Sequence, residues 1–277
     1  MRADLEDVGS SPSPSIGAGP APGPARLTIA GIAVENAMAE RIVDRLERAI
    51  ATGSMPGALP GPLLRVAFLN AHCVNVSRKD EAYRAALGEC TVLADGIGVD
   101  LAARMLHGAP FVANLNGTDF VPLFLKTVGR PLRVALVGGA PGIAERAAAA
   151  LAAAQPRHAF AAVSDGFFGE AGRERVLADL QTGGFDVVLV AMGVPAQELF
   201  LTRHLDARHG RVAMGVGALF DFLAGEVSRA PPVIRRLRLE WVWRLMQEPG
   251  RLWRRYVLGN PSFVAGILAD RFRMREE

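Results

Sequence analysis

A lone carboxylate set among glycines is the first feature of this sequence that could do chemistry. Asp95 follows the apolar segment Thr91–Ala94 and precedes Gly96 and Gly98, and a helix is predicted to begin near Val99. This order of strand, turn and helix places the carboxylate at the end of a strand, beside backbone amides that can bind an anion. Such a position suits a general base next to a phosphate-bearing ligand, although Asp-Gly is also a common turn without any chemistry.

A second glycine-rich turn is a candidate for binding phosphate. Gly138 and Gly139 begin the segment 138–142, where missing Cβ atoms let the backbone approach a phosphate at the start of the next helix. Asp165 lies 23 residues beyond Gly142, about where a ribose-binding acid falls in a nucleotide-binding βαβ unit. The spacing differs from the dinucleotide-binding motif. Phosphate binding and a simple tight turn therefore both stay open, and an NAD-dependent oxidoreductase is an alternative function.

Amide side chains complete this polar set. Gln197 stands at a predicted strand-to-helix junction, where its amide can bond a sugar hydroxyl or a pyrophosphate. Its neighbour Glu198 is interpreted as an acid that caps the first helical turn. Asn70 and Asn75 flank His72 in a predicted strand end. The two asparagines either bind sugar or close turns, and the histidine is expected to be packed.

Arginine and tryptophan are concentrated near the end of the chain. Arg244, Arg251 and Arg254 are spaced to share roughly one helical face, and all three tryptophans lie within residues 241–253. Arginine with tryptophan on an amphipathic helix indicates a membrane interface, or else a helix with one core face and one solvated face. No Asp-x-Asp stands at a predicted strand end, so neither a metal site nor a cofactor is expected. Arginine is the residue suited to holding a diphosphate instead.

These residues need a scaffold that brings strand ends together, and the hydrophobic pattern predicts one. Near-continuous apolar strands alternate with helices, which indicates an α/β fold with a Rossmann-like, doubly wound, mostly parallel sheet. The fold is predicted to begin with a strand at 27–34, and further strands are predicted at 64–69, 132–137, 158–163, 187–191 and 212–216. Ligands of such sheets bind beyond the carboxyl ends of the strands. The polar and glycine-rich clusters that follow strands should therefore converge on one site; they are 95–98, 138–142, 164–166, 193–198 and 217–221.

Composition divides the 277-residue chain into three parts. Residues 1–25 are rich in Ser, Pro, Gly and Ala and are predicted to be disordered. Residues 26–228 are assigned to the α/β domain, and residues 229–277 to a basic, Trp-rich helical appendage. The net charge is only +3, but the appendage carries 11 arginines against 5 acids, an excess of +6. This asymmetry predicts an anionic partner.

Three other classes of protein are excluded by the same sequence. No uncharged apolar segment is long enough to span a bilayer, and the longest late candidate, 256–269, is interrupted by Gly259-Asn-Pro261. The first 25 residues lack the apolar centre of a secretory signal. The two cysteines, Cys73 and Cys90, show neither a disulfide framework nor a metal spacing. A reducing cytoplasmic compartment is therefore expected.

Taken together, the motifs of this chain resemble those of the WecG/TagA/CpsF glycosyltransferases (family 26). The resemblance extends from about Leu27 to about Pro261, and the fixed order of its motifs makes it specific. The motifs are Ala94-Asp-Gly-Ile-Gly98, Asn116-Gly-Thr-Asp119, Val137-Gly-Gly139, Gly193-Val-Pro-Ala-Gln-Glu198, Gly215-Val-Gly-Ala-Leu-Phe-Asp-Phe-Leu-Ala-Gly225, Arg229-Ala-Pro231, Leu239-Glu-Trp241 and Glu248-Pro-Gly-Arg-Leu-Trp-Arg-Arg-Tyr256.

The resemblance implies an inverting, metal-independent transfer of a sugar from a UDP-sugar to a polyprenyl-diphosphate-linked saccharide. Members act in the synthesis of teichoic acid, capsule or exopolysaccharide, at the cytoplasmic face of the bacterial plasma membrane. By position, Asp95 matches the general base, Gln197 a site amide and Asp221 an acid that contacts the nucleotide. The matched arginines are Arg229 and, near the diphosphates, Arg244, Arg251 and Arg254.

Two departures from the family pattern concern the donor sugar. Pro195-Ala-Gln197 stands where many members have Pro-Lys-Gln, and Asn70-Ala-His-Cys-Val-Asn75 resembles the capsule and exopolysaccharide members more than the teichoic-acid ones. The donor sugar is therefore N-acetylmannosamine or another hexose such as glucose or glucuronate. The expected partners are the UDP-sugar, the lipid-linked acceptor and an anionic membrane surface, with a homo-oligomer left open and no nucleic acid. A non-catalytic scaffold at the membrane surface is a further alternative.

Overall fold

The computed structural model describes residues 24–53, 61–231, 233–234 and 237–276, so the segment predicted to be disordered lies almost wholly outside the described residues. A short hairpin of β1 (Arg26–Ile29) and β2 (Ile32–Glu35) precedes the six strands of the main sheet. These are β3 (Leu64–Leu69), β4 (Thr91–Ala94), β5 (Arg133–Gly138), β6 (Ala159–Ser164), β7 (Val187–Ala191) and β8 (Val212–Gly215). All neighbouring strands are parallel, in the order β4-β3-β8-β7-β5-β6.

Helices cover both faces of this sheet. They are α1 (Ala39–Gly53), α2 (Ala71–Ser77), α3 (Glu81–Gly88), α4 (Ile97–His107), α5 (Gly117–Thr127), α6 (Ile143–Ala154), α7 (Glu170–Gly183), α8 (Ala196–Arg203) and α9 (Leu219–Leu223). Because alternate strand residues point to opposite faces, Val66 and Phe68 pack with α1, α5, α6 and α9, whereas Ala67 and Leu69 pack with α2, α3 and α4. The α/β fold with a doubly wound parallel sheet, predicted from the sequence, is confirmed.

The apolar segment 27–34, predicted as one strand, consists of two strands joined by a tight turn. Ala30 and Gly31 adopt positive φ angles of 51° and 79°, and the chain reverses so that Leu27 pairs with Val34. Positive φ at both central residues is typical of the hairpin turns that match the twist of the flanking strands. The apolar side chains of the hairpin join the cluster under α2, α3 and α4, and the hairpin forms a sheet of its own.

Residues 70–75, predicted as a strand end, instead cap and begin α2. Asn70 has an extended backbone, and its Oδ1 accepts hydrogen bonds from the backbone N–H groups of His72 at 3.1 Å and Cys73 at 3.2 Å. The cap satisfies amides that the start of a helix leaves free. Local hydrogen bonding therefore overrides the alternation of polar and apolar residues that indicated a strand.

The end of the chain is helical and shares a core with the α/β fold. It comprises α10 (Glu240–Gln247), α11 (Pro249–Trp253), one π-helical turn (Arg254–Leu258) and α12 (Gly259–Glu276). Helix α12 packs against α2 and α4, where Phe263 and Ile267 are buried in the same cluster as Val74 and Val99. None of the helices in the described residues is long and apolar enough to span a membrane. The domain boundary near residue 229 stays a prediction.

Candidate active site

A cavity of about 1160 Å³ opens at the carboxyl ends of the parallel strands and is bounded on its other side by the C-terminal helices. Its position agrees with the general rule for ligand sites in such sheets. Eight of the twelve residues predicted to act in a site line this cavity: Asn70, Asp95, Gly139, Gln197, Asp221, Arg229, Arg244 and Arg251. The four that do not line it are Asn75, Gly138, Asp165 and Arg254.

Asp95 is fixed at the end of β4 by its backbone and by its side chain. Its N–H donates to the carbonyl of Leu69 at 2.9 Å, which continues the pairing of β4 with β3. Gly96 takes a φ of 86°, and its N–H and C=O both bond the side chain of Asn114, at 2.8 and 2.9 Å. Nδ2 of Asn70 donates to Oδ2 of Asp95 at 3.2 Å. The carboxylate therefore faces the cavity in a defined orientation.

Burial dominates the electrostatics of Asp95. It raises the pKa of the carboxyl above its ordinary value, and nearby Asp119 adds a smaller effect in the same direction. The hydrogen bond from Asn70 and the positive charges of Arg255 and Arg244 lower the pKa without cancelling the effect of burial. A half-buried carboxylate with a raised pKa is a stronger base than an exposed one, which suits proton transfer from a hydroxyl.

His72 also lines the cavity, and its ring is another group that could act as a base. Burial, assisted by the positive charge of Arg255, lowers the pKa of its ring to about 4. The ring is therefore neutral and weakly basic near pH 7. The histidine is therefore less suited to take a proton than a carboxylate with a raised pKa.

Gln197, predicted as a site amide, braces the loop that follows β8. The residue is 3% exposed; its Oε1 accepts from the backbone N–H of Gly217 at 3.0 Å, and its Nε2 donates to Glu198 Oε1 at 2.8 Å. A Cβ on Gly215 would lie only 2.9 Å from this Nε2, so the amide packs directly on the backbone of β8. Gln197 thereby fixes the backbone of the cavity wall around Gly217.

Glu198, which follows Gln197 in the chain, is a buried acid next to the cavity wall. It is 0% exposed, and its Oε2 has no hydrogen-bond partner among the described residues. Burial raises its pKa to about 7, against the lowering effect of the hydrogen bond from Gln197. Both forms of the acid are therefore populated near neutral pH.

The glycine turn after β5 allows two strands to approach closely. Gly138 has a φ of 127°, and a Cβ there would collide with the carbonyl of Ala191 in β7. The N–H of Gly139 donates to the same carbonyl at 2.8 Å, and Gly139 lines the cavity. Gly138 is thus required by the packing of β5 against β7, and phosphate binding by this turn stays a prediction.

Asp165 and Asn75 are used within the fold. Oδ1 of Asp165 accepts from the backbone N–H of Phe167 at 2.8 Å and closes its own loop. Nδ2 of Asn75 donates to the carbonyl of Gly259 at 2.7 Å and ties α2 to α12. Because neither residue lines the cavity, the ribose-binding role that the spacing predicted for Asp165 finds no support in its placement.

Arginines from the C-terminal segment line one side of the cavity. Arg244 and Arg251 both line it and share Glu248 as an ion-pair partner, at 3.2 and 2.8 Å. The guanidinium carbon of Arg254 lies instead 5.3 Å from the ring centroid of Trp253. The π-helical turn that begins at Arg254 breaks the regular helical spacing on which its placement was predicted. The remaining arginines of the wall are Arg229, Arg238 and Arg255.

Arg238 and Arg255 are the site arginines that the sequence analysis missed. Arg238 has a φ of 57° outside any helix and pairs with Asp100 of α4 at 2.5 Å. Both residues belong to the arginine-rich end of the chain, which was the only available signal. Helical spacing selects neither of them, because one lies in a loop and the other in a π-helical turn.

Asp221 lies in the first turn of α9, where the charges of Arg251 and Arg244 act on its carboxyl. Burial raises the pKa of its carboxyl, whereas the charges of Arg251 and Arg244 lower it. The guanidinium carbon of Arg244 also lies 5.3 Å from the ring centroid of Phe222. Throughout the described residues, no three His, Cys, Asp or Glu side chains are grouped so that they could hold a metal ion.

Comparison with known proteins agrees with the motifs. The model of the glycosyl transferase WecG/TagA/CpsF family matches residues 27–277. The N-acetylglucosaminyldiphosphoundecaprenol N-acetyl-beta-D-mannosaminyltransferase of Bacillus spizizenii is 34% identical over 179 residues, which cover 64% of this chain and 67% of that protein. The resemblance deduced from the motifs is therefore confirmed. This chain belongs to the WecG/TagA/CpsF family of glycosyltransferases.

Proposed function

We propose that this protein transfers a sugar from a UDP-sugar to a hydroxyl of a polyprenyl-diphosphate-linked saccharide, with inversion at the anomeric carbon. The observation that carries the proposal is the placement of Asp95. One half-buried carboxylate, held by Asn70, lies in a cavity that is also lined by five arginines. The name of the Bacillus relative specifies N-acetylglucosaminyldiphosphoundecaprenol and an N-acetyl-beta-D-mannosaminyl group, which supports this class of substrates.

The transfer is a single displacement in which Asp95 is the general base. Its carboxylate takes the proton of the acceptor hydroxyl as the hydroxyl oxygen attacks the anomeric carbon of the donor. The new C–O bond forms while the bond from that carbon to the β-phosphate oxygen breaks, and UDP leaves with the electron pair. Attack and departure take place on opposite faces of the sugar, so the configuration inverts.

The departing diphosphate needs positive charge, and the arginines of the wall are suited to supply it. Arg244 and Arg251 lie near Asp221 on the side formed by the C-terminal helices. A guanidinium group binds phosphate oxygens in pairs, and its charge is most effective in a site with little water. The proposed transfer therefore uses arginine in place of a divalent metal ion.

The structure gives no support to the alternative function as an NAD-dependent oxidoreductase. That alternative rested on the glycine turn 138–142 together with a ribose-binding role for Asp165, whose carboxylate bonds its own loop and does not line the cavity. The family of the chain is also a glycosyltransferase family. The scaffold alternative differs from the proposal in one testable respect, because it assigns no chemistry to Asp95.

A membrane location is part of the proposal. The described residues expose sixteen large hydrophobic side chains, and ten of them lie within 233–274. Together with the excess of arginine, they give the C-terminal helices the composition of a surface that rests on anionic lipid. We infer a peripheral position on the inner face of the bacterial plasma membrane, where a polyprenyl-linked acceptor is anchored. The homo-oligomer that the sequence left open is not part of this proposal.

A panel of nucleotide sugars tests the proposed transfer and identifies the donor sugar. The full chain is incubated with UDP-N-acetylmannosamine, UDP-glucose or UDP-glucuronate and a short polyprenyl-diphosphate N-acetylglucosamine, with and without EDTA. We expect one donor to add a single sugar, detected by mass spectrometry, and the rate to survive EDTA. No product with any donor would contradict the proposed function. Loss of activity in EDTA that Mn²⁺ restores would contradict metal independence alone.

A further inference from the structure

Two neighbouring arginines of the C-terminal segment have different surroundings. Arg254, which the family motif matches, is exposed over the ring of Trp253 and does not line the cavity. Arg255 is half-buried, lines the cavity and has its guanidinium carbon 5.7 Å from the ring centroid of Tyr256. Both belong to the π-helical turn, so helical periodicity does not tell which of them turns inward.

Within the described residues, Arg255 also differs from the other arginines of the cavity because no carboxylate is paired with it. Each of the others has a carboxylate partner at 2.5–3.2 Å: Asp119 for Arg229, Asp100 for Arg238, and Glu248 for both Arg244 and Arg251. In the part of the chain that the structure describes, no carboxylate oxygen lies within 4.0 Å of Arg255, and its Nε is buried without a hydrogen-bond partner. A partly buried cation without a carboxylate partner is costly, which indicates that this position serves the site.

Arg255 contacts Asn70, which in turn contacts Asp95, the proposed general base. Its Nη2 lies 3.5 Å from Oδ1 of Asn70, a long hydrogen bond, and Nδ2 of Asn70 donates to Asp95 at 3.2 Å. The same Oδ1 also caps α2 through two backbone amides. Asn70 therefore has its oxygen on the side of Arg255 and its nitrogen on the side of Asp95. A flipped amide would lose all of these bonds.

We propose that Arg255 is a positioning residue for Asp95, acting through the amide of Asn70 and through its own uncompensated positive charge. The inference rests on the proposed function, in which Asp95 is the base. Arg255 connects three elements of the fold: the π-helical turn, the start of α2 and the end of β4. In this arrangement the base is not fully assembled until the C-terminal helices are in place.

The charged groups around Asp95 make this inference specific. The neutral ring of His72 lies in the same wall, and the acid Asp119 is already paired with an arginine. The positive charge of Arg244 is partly offset by Glu248, at 3.2 Å. Arg255 is therefore the cation that most favours the ionised carboxylate, and its removal should make Asp95 easier to protonate.

A substrate-free titration tests the proposal directly. The full chain is labelled with [γ-¹³C]aspartate, and the signal of Asp95 is identified by its absence from Asp95→Asn. We expect the titration midpoint of Asp95 to move to higher pH in Arg255→Ala and to stay near the wild-type value in Arg255→Lys. Arg254→Ala is the matched control and should leave the midpoint unchanged. Arg255→Gln replaces the alanine variant if thermal melting shows that Arg255→Ala does not fold.

Kinetics separate this role from simple substrate binding. In Arg255→Ala, kcat should fall roughly 10–100-fold, as for other small misplacements of a reacting group, with little change in the KM of the UDP-sugar. An unchanged Asp95 midpoint would overturn the proposal, and a higher KM with that midpoint unchanged would assign Arg255 to diphosphate binding instead. If the midpoint moves but the wild-type protein transfers no sugar, the proposed function fails while the effect of Arg255 on Asp95 stands.

Discussion

At Asp95, exchanging one carboxylate oxygen for nitrogen tests the proposed chemistry with the least disturbance. Asp95→Asn keeps the size of the side chain but removes the group that can take a proton. We expect kcat to fall about 10²–10⁴-fold, the usual contribution of a general base, with the Kd of UDP unchanged. Rates come from the mass-spectrometric assay and the Kd from calorimetry.

Asp165→Asn is the matched control for this variant, because it changes an acid at the same edge of the sheet that does not line the cavity. It should retain the wild-type rate. A wild-type rate in Asp95→Asn would favour the non-catalytic scaffold. The wild-type rate should also decrease as the pH falls, because Asp95 becomes protonated, and burial places this decrease above the ordinary pKa of 3.8.

Glu198 is expected to make stability depend on pH. Its pKa is about 7 in the folded protein against 4.5 ordinarily, so the folded state binds the proton more tightly than the unfolded state does. The stabilisation is fully present below about pH 4.5 and is lost as the pH rises through about 7, a difference of about 3 kcal/mol. Glu198→Gln cannot titrate and should lose less stability than the wild type between pH 5 and pH 8.

Urea unfolding at the two pH values measures this difference. Glu145→Gln, a change of an exposed acid in the first turn of α6, is the control and should follow the wild type. If the free energies of unfolding of Glu198→Gln and the wild type change equally with pH, the buried acid is not the source of the effect.

At the scale of elements, the close approach of β5 and β7 at Gly138 predicts a site where alanine is not tolerated. Gly138→Ala would place a Cβ against the carbonyl of Ala191 at a φ of 127°. We expect the free energy of unfolding to fall by about 2–4 kcal/mol. Gly88→Ala introduces the same methyl group at the end of α3, where nothing lies within 4 Å, and should change stability by about 1 kcal/mol or less. Equal effects in chemical denaturation would contradict this reason for Gly138.

The main sheet could be predicted because its physical cause is local. Strands buried on both faces are almost continuously apolar, and β7 was located at its observed residues, 187–191. Once the strands are parallel, their loops must meet at one edge, which is why Asp95 and Gln197 could be expected to lie in one cavity. The order of the strands in the sheet does not follow from such local patterns.

Where the structure differs from these expectations, the cause is local geometry and hydrogen bonding that the hydrophobic pattern does not encode. The turn at Ala30-Gly31 divides one apolar run into two strands, and the cap by Asn70 converts a predicted strand end into a helix. Asp165 closes its own loop in place of facing a ligand. The π-helical turn likewise separates Arg254 from the cavity, although its spacing to Arg244 and Arg251 fits an α-helix.

For the whole molecule, the exposed apolar residues of the C-terminal helices predict binding to lipid. Leu258→Ser should lower the affinity of the full chain for anionic vesicles about tenfold, because a buried leucine contributes roughly 1.5–3 kcal/mol. Added salt should weaken binding of both the wild type and the variant, since the arginines contribute through screened charge. Co-sedimentation with vesicles measures both effects.

Leu123→Ser is the control, because it removes an equally large exposed side chain from α5, outside the C-terminal helices. It should bind vesicles as the wild type does. If Leu258→Ser also binds with unchanged affinity, the membrane contacts another part of the surface. The full chain is the right material for this test, since Phe263 and Ile267 belong to the core that α12 shares with α2 and α4.

That shared core also bears on how the protein comes to be active during its own synthesis. A nascent chain leaves the ribosome from its N-terminus, so the sheet and Asp95 emerge well before Arg251, Arg255 and Phe263. Until α12 has emerged, the apolar surface of α2 and α4 is uncovered, and Asp95 lacks its arginine neighbours. A message with a premature stop codon after residue 225 would therefore encode the whole sheet but only part of the site. The proposed site can therefore be complete only after the C-terminal helices have been synthesised and have packed against α2 and α4.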